Sequence, residues 1–315
     1  IDLVEQMIRV AAGEKLALKQ SDVKLNGWAV ESRLYAEDPY RNFLPSIGRL
    51  TRYQPPEEGR FGDVVVRNDT GVTEGAEISM FYDPMIAKLC TWAPTRIEAI
   101  DAMSDALDNF VVDGIEHNIP FLSALMQHPR WREGRLSTGF IAEEYPDGFA
   151  PISPNADEKA VLASVALAVE LLRRDRLDRL DGRLAPHSGA LKRDWVVKIG
   201  EDYISASILE GMISIPMELD LAIDGGKPLT AASEWRPGDP VWNGTVGGRR
   251  ISAQLRPVAN GIKLAWKGMS VTARAMLPRT AELEKLMPEK LPPDTSKMLL
   301  CPMPGLVKAI HVQAG

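Results

Sequence analysis

"DEKAVLASVALAVELLRR", residues 157–174, decides the fold. Alanine and leucine dominate the stretch, and both favour helix. From Val161 to Leu172 the apolar positions run most of the way round a helical wheel instead of forming a stripe. A helix that is apolar on most sides is enclosed by other structure. The apolar run from Ala160 to Leu172 contains Ser164 and Glu170. It falls short of the ~20 residues that a membrane span needs. The enclosure is written directly downstream. Short alternating runs follow at 195–199, 203–209, 217–223, 250–256, 262–266 and 271–276. Turn signals separate them: "DGG" at 224–226, "NG" at 243–244 and "ANG" at 259–261. A helix followed by six or more hairpin-linked strands predicts a barrel or curled sheet wrapped around that helix.

Upstream of the helix, "YPDGFAPISPNADEK" (145–159) places Pro146, Pro151 and Pro154 close to Gly148, which marks a boundary. The part before it mixes helices and strands. Leu3, Val4, Met7, Ile8 and Ala11 recur at helical spacing, with Asp2 as N-cap and Gly13 as the stop. Trp28 to Tyr35 alternates as a strand: Trp28, Val30, Ser32 and Leu34 face one way, and Ala29, Glu31, Arg33 and Tyr35 the other. Gly48–Tyr53 and Val64–Arg67 read as further strands, with a charged turn over 55–62 between them. Thr95 and Glu98 have the spacing of a capping box ahead of the apolar face Ile100, Met103, Leu107 and Phe110. At the other end, "EKLPPDTSK" (289–297) leads to "LLCPMPGLVKAIHVQAG" (299–315), which reads as a closing pair of strands. The expected organisation is an α+β multidomain chain divided at 1–148, 149–294 and 295–315.

Composition narrows the function classes. Of 315 residues, 45% are hydrophobic and 25% charged, as in a soluble globular protein. A net charge of -6 argues against nucleic acid or an anionic membrane as partner of the chain as a whole. Two distant cysteines, Cys90 and Cys301, form no disulfide framework. Four scattered histidines pair with neither at metal spacing, so no structural metal site is expected. GxSxG, HExxH, Walker A and GxGxxG are all missing. One charge constellation stands out: Glu31 and Arg33 on one strand face, Glu37 and Asp38 just after, and Asp83 in "FYDPM". An arginine fixed by carboxylates is either a permanent cation that stabilises an oxyanion, or a surface or interface ion pair.

Three longer phrases carry a resemblance. "WAVESRLYAEDPYRNFLPSIGRL" (28–50), "FYDPMIAKL" (81–89) and "DALDNFVVDGIEHNIPFL" (105–122) resemble, in order, the C-terminal subdomain of biotin carboxylases. "LLCPMPGLVKAIHVQAG" resembles the opening of a biotin carboxyl carrier domain. With the "EEYPDGF" boundary (143–149), nearly the whole chain is similar to the biotin-bearing subunit of biotin-dependent acyl-CoA carboxylases, most tightly in its first third. The resemblance implies an interior segment of a longer polypeptide and a ligase activity: ATP-dependent carboxylation of biotin by bicarbonate, then transfer to an acyl-CoA on a carboxyltransferase β subunit. It places the ATP-grasp domain, which binds ATP with Mg2+, upstream. The Ala-Met-Lys-Met turn whose lysine carries biotin is absent here, so this stretch alone is expected to be inactive. The phrases at 26–48 and 145–149 favour propionyl-CoA, giving methylmalonyl-CoA. The alternatives are 3-methylcrotonyl-CoA, acetyl-CoA, or a non-catalytic scaffold segment.

Residue by residue, the resemblance assigns the oxyanion-stabilising guanidinium to Arg33 and a carboxylate that holds it at rest to Asp83. Tyr82 becomes a wall of the biotin pocket, or alternatively a packed core aromatic. Thr138 in "STGFI" (137–141) becomes a neighbour of the adenine, or an ordinary turn residue. The loop "RLAPHSGALKRDW" (183–195) corresponds to a hook that docks onto the β subunit, with His187, Leu191 and Trp195 as contacts. Trp195 also reads as first-strand core. A large hetero-oligomer in the bacterial cytoplasm or the mitochondrial matrix is implied.

Overall fold

A computed structural model describes residues 1–79, 81–182, 191–288, 298, 306 and 308–312. The N-terminal part begins with α1 (Leu3–Ala11), whose Asp2 side chain accepts from the Glu5 N–H at 3.0 Å. The apolar residues Leu3, Val4, Met7 and Ile8 of α1 are all exposed. Strand β1 (Trp28–Tyr35) follows, then β2 (Glu37–Asp38), β3 (Leu44–Pro45), β4 (Gly48–Arg49), β5 (Arg52–Gln54), β6 (Gly59–Phe61), β7 (Val64–Thr70), β8 (Glu77–Ile78) and β9 (Met85–Ala93). Next come α2 (Arg96–Asp108), β10 (Val111–Asp113), α3 (Ile119–Gln127), α4 (Pro129–Arg132) and α5 (Phe140–Glu144).

Four of these strands make an antiparallel sheet in the order β1-β9-β7-β6. The expected alternation in β1 holds: Val30, Ser32 and Leu34 are buried, while Ala29, Glu31 and Arg33 are exposed. The buried face lies against α2, whose Ile100, Met103 and Leu107 join Phe110 and Leu89 in one apolar cluster. The capping box forms as read, with Glu98 N–H donating to Thr95 Oγ1 at 3.3 Å and Thr95 N–H to Glu98 Oε2 at 3.0 Å. Two local expectations are corrected. The strand expected over 48–53 is broken at Leu50–Thr51 into β4 and β5, which pair with different partners, β8 and β10. The charged turn expected over 55–62 contains the edge strand β6, paired to β7 through Arg60 and Val65.

The second part starts with α6 (Ala156–Asp178), capped by Asn155, whose side chain accepts from the Glu158 N–H at 3.0 Å. Strands β11 (Asp194–Ile199), β12 (Asp202–Met212), β13 (Met217–Ile223), β14 (Leu229–Ser233), β15 (Val241–Val246), β16 (Arg249–Val258), β17 (Gly261–Trp266) and β18 (Met269–Met276) close into a barrel, each antiparallel to the next. Helix α7 (Pro278–Glu284) follows. Every residue of α6 from Val161 to Leu172 is buried except Glu170, which is partly so. The inward residues of all eight strands supply its surroundings, including Val197, Leu219, Ala231, Trp242, Ala253 and Leu264. This is the enclosure that the all-round apolar surface demanded.

The barrel has two strands, β14 and β15, beyond the six runs expected from the sequence. "NG" at 243–244 is not a turn but the middle of β15. A Cβ on Gly244 would collide with the Ala232 carbonyl oxygen and approach Trp242 at 2.8 Å, so glycine is there for close strand packing. The turn falls one step later, at Gly247 and Gly248, both at positive φ. The closing strand pair expected at 299–315 lies largely outside the described residues; Leu306 and 308–312 belong to no helix or strand.

Helix α6 has a direction inside the barrel. Lys159 pairs with Asp202 at 2.7 Å near its start, and Arg174 lies 4.7 Å over the Trp195 ring near its end. Antiparallel closure then puts the β17–β18 turn at the α6 N-terminal end. The β12–β13 and β16–β17 turns lie at the C-terminal end.

The two parts meet along a polar seam. The outward Gln254 of β16 donates to the Phe110 carbonyl at 2.9 Å. Arg256 Nε donates to Asp113 at 2.6 Å, and its Nη2 to the Val112 carbonyl at 2.8 Å. Lys267 N–H donates to Asp108 at 2.9 Å. Ile152 bridges to Met269, and Gly268 sits against the backbone of Pro120 and Ala124.

Candidate active site and docking end

Because α2 covers one face of the four-stranded sheet, the other face is open. Cross-strand register arranges it in rows. Glu31 of β1 stands opposite Cys90 of β9, which stands opposite Arg67 of β7. One step along, Arg33, Lys88 and Asp69 form the next row. Period-two alternation puts all six side chains on the same side.

Within this face the Arg33 guanidinium is held by Glu31, Nε to Oε1 at 3.2 Å, and its side chain is 59% exposed. The Glu31 hydrogen bond, with a smaller contribution from Tyr35, pushes the Arg33 pKa further above its already high value. Residues i and i+2 of a strand share a face, which is why Glu31 takes the role expected of Asp83. Asp83 instead accepts the Met85 N–H at 3.1 Å, so it caps the loop leading into β9. No ion pair joins Arg33 and Asp83 among the described residues. That loop still lies at the exit of β1: the Ala36 N–H donates to the Pro84 carbonyl at 2.9 Å. Glu37, pushed up by burial and then by the negative charge of Asp83, marks the same neighbourhood.

Tyr82 is 83% exposed and Phe81 84%, so Tyr82 is no core aromatic. Thr138 is exposed in the turn before α5, beside Ser137, whose hydroxyl accepts from Arg130 at 3.3 Å. A positioning residue is added by the structure: Asn118. Its Oδ1 accepts from the Tyr35 N–H at 2.9 Å and its Nδ2 donates to the Arg33 carbonyl at 3.1 Å. The two bonds clamp the backbone on either side of Leu34, where the β1–β9 register shifts.

At the C-terminal end of α6 the picture differs. Leu177, Leu180, Leu191, Leu209, Met212 and Ile215 are exposed large apolar residues, from 40% for Ile215 to 59% for Met212. They come from the end of α6, the segment entering β11 and the β12–β13 hairpin, joined where Ile208 N–H donates to the Arg193 carbonyl. Leu191 therefore sits at an exposed end of the barrel. Trp195 does not: it is 3% exposed, packed in the barrel core under Arg174. Its Nε1 donates to the Lys192 carbonyl at 2.8 Å, which fixes the returning loop. The core reading of Trp195 holds and the contact reading is corrected. His187 lies outside the described residues.

Sequence comparisons agree with this architecture. The biotin carboxylase C-terminal domain matches residues 31–143, and the propionyl-coenzyme A carboxylase BT domain matches 162–290. A half-open sheet bearing Arg33, joined to a barrel around a helix, thus defines a segment of a biotin-dependent carboxylase. The chain is 50% identical over its whole length to the propionyl-CoA carboxylase alpha chain of Ruegeria pomeroyi, and 37% to the mitochondrial propionyl-CoA carboxylase alpha chain of Mus musculus. It belongs to the propionyl-CoA carboxylase alpha-chain family. It spans about half the length of the curated relatives it matches, 48% and 43% of these two. Among solved structures, the biotin carboxylase domain of Hydrogenobacter thermophilus 2-oxoglutarate carboxylase, in complex with MgADP, ADP and bicarbonate, is 39% identical. The match covers 49% of this chain and 32% of that one, with a TM-score of 0.44.

Proposed function

We propose that this chain supplies one wall of a biotin carboxylase site and the barrel that docks the biotin-bearing subunit onto a carboxyltransferase β subunit. The whole enzyme carboxylates biotin with bicarbonate and ATP, then passes the carboxyl group to propionyl-CoA to give methylmalonyl-CoA. The BT-domain match and the similarity of the whole of this chain to propionyl-CoA carboxylase alpha chains support that substrate. Similarity to the methylcrotonoyl-CoA carboxylase alpha subunit of Mus musculus covers only 54% of the chain. The compartment is the bacterial cytoplasm or the mitochondrial matrix, in line with relatives of both kinds. Division of labour falls at 1–148 for the carboxylase subdomain, 149–294 for docking and 295–315 for the start of the carrier.

The observation that carries the catalytic reading is an outward, half-exposed guanidinium on an open sheet face, on a strand whose exit is bonded to the loop that carries the exposed Tyr82. That surface fits a urea-like ring: a cation faces outward and an exposed aromatic stands on the adjoining loop. When bound, biotin supplies the ureido nitrogen that takes the carboxyl group. Arg33 stays charged throughout the physiological range because its ordinary pKa is high and Glu31 raises it further. Its planar fork aims N–H donors at an oxygen that gathers negative charge. Glu31 orients the guanidinium at rest, and Asn118 fixes the strand beneath it. Asp83, on the loop beside β1, shapes the approach together with Tyr82. Thr138 is the nucleotide neighbour on this chain, and ATP with Mg2+ is held mostly by other parts of the full subunit.

Arg33→Lys in the full-length subunit tests this. Lysine keeps the charge and loses the fork. The expected result is a fall in kcat for free-biotin carboxylation of about 10²–10³-fold with ATP affinity nearly unchanged. Turnover equal to the parent would remove Arg33 from the mechanism.

A further inference from the structure

At the same barrel end as the exposed apolar residues, a cavity of about 500 Å3 is lined by the C-terminal half of α6, the β16–β17 turn, the last residues of β18 and α7. Its walls are mixed: Val169, Val258, Ile262 and Met276 are apolar, and five charged side chains reach it. Four of the five are already committed. Arg174 pairs with Glu170 at 2.6 Å, and Arg274 with Glu284 at 3.4 Å. Glu284 is further held by Lys198 at 3.2 Å and by the Tyr203 hydroxyl. Arg173 is exposed and has no ion-pair partner among the described residues. The pocket therefore offers one uncommitted positive charge at the edge of an apolar recess. It lies at the same barrel end as Leu177, Leu180, Leu191, Leu209, Met212 and Ile215.

We infer that this pocket seats an acidic side chain of the partner subunit, with Arg173 as its counter-charge. The inference rests on the docking reading above. Apolar walls beside an arginine are a composition that interfaces favour, because the walls exclude water while the guanidinium supplies a directional bond. A cavity of this size holds a side chain with its flanking backbone, and the apolar walls beside Arg173 strengthen a charged hydrogen bond by excluding solvent. Because Arg173 is exposed at the end of a helix, exchanging it leaves the barrel core intact.

The test measures association of the full-length subunit with its β partner by titration calorimetry. Arg173→Glu is expected to weaken binding about tenfold or more, and Arg173→Lys to stay within about threefold of the parent. The gap between parent and Arg173→Glu is expected to shrink as salt rises from about 0.05 M to 0.5 M. Leu180→Asp separates the two readings. If Leu180→Asp weakens association and Arg173→Glu does not, the docking end stands and the pocket proposal is overturned. If neither variant changes association, the docking reading fails and the proposal with it. Thermal melting of each variant alone guards against a folding defect, and Arg173→Gln, which removes the charge without reversing it, keeps the result decisive should the glutamate prove unstable.

Discussion

Asn118 ties the reactive strand to the following helix. It precedes α3, where a polar residue reads as an N-cap, yet its side chain caps nothing on that helix. It turns instead to β1 and satisfies one donor and one acceptor there, and it is only 5% exposed. Replacing it with alanine leaves the Tyr35 N–H and the Arg33 carbonyl without these partners, at a cost of about 2 kcal/mol. The expected outcome for Asn118→Ala is a lower urea midpoint at unchanged slope. In the full-length subunit, kcat for biotin carboxylation should also fall several-fold, as Arg33 loses its alignment. Asn118→Asp, which keeps the acceptor and loses the donor, should fall between. Unchanged midpoint and turnover for both variants would make Asn118 a bystander. At this scale the alternation of β1 showed that Glu31 and Arg33 share a face, and the sequence was silent on Asn118, because its partners on β1 lie 83 and 85 residues away. It also misassigned the holder of Arg33. Glu31 is two residues away on the same strand, and nothing in the linear pattern ranks it against a loop aspartate.

The elements were legible in proportion to their patterning. Helix α6 was plain, since an apolar surface on all sides has few other meanings. Strands β14 and β15 were not. β14 is a short run of Leu, Thr, Ala and Ser, and β15 carries an Asn-Gly pair that mimics a hairpin turn. What decides these cases is cross-strand distance, which a local pattern does not contain. Gly268 shows the same effect with a measurable consequence. It sits at φ +80, and an added Cβ would stand 2.7 Å from the Ala124 nitrogen and 2.9 Å from the Pro120 carbonyl oxygen. Both contacts are backbone, so neither yields by a rotamer change. Gly268→Ala is expected to destabilise the chain by about 3 kcal/mol, combining the left-handed backbone penalty with a forced shift of α3. Gly248 (φ +75), with nothing within 4 Å of its Cβ, supplies the control. Gly248→Ala should cost only about 1 kcal/mol. Equal losses at the two sites in denaturant unfolding would show that backbone conformation alone matters and that the seam is not tightly packed.

At the scale of the molecule, the seam joins the first part to the barrel at the β17–β18 turn and along the outer face of β16. Under the docking proposal, it is this seam that couples a partner seated on the barrel to the sheet bearing Arg33. The seam was illegible in the sequence because its residues are polar and some 145 positions apart. Its weak point is acid. The Nδ1 of His117 is buried without a hydrogen-bond partner among the described residues. The cavity around the ring is also lined by Tyr40, Asp108, Glu116, Arg256 and Lys263. Burial first, and then the positive charge of Arg256, lower the His117 pKa to about 4 from 6.5; Asp113 opposes the shift. The folded state therefore binds the proton less readily than the unfolded chain. The stabilisation is complete above pH 6.5 and is lost as pH falls from about 6.5 to about 4, by up to about 3 kcal/mol. Asp108 acts in the opposite sense: burial raises its pKa well above the ordinary carboxyl range. Its protonation therefore favours the fold in acid, and Asp108→Asn removes that opposing contribution. In an Asp108→Asn background, His117→Gln is expected to flatten the loss of unfolding free energy between pH 6.5 and pH 4, measured by urea titration at each pH. Parallel profiles with and without His117 would show that the seam does not sense this proton, and that other carboxylates set the acid limit.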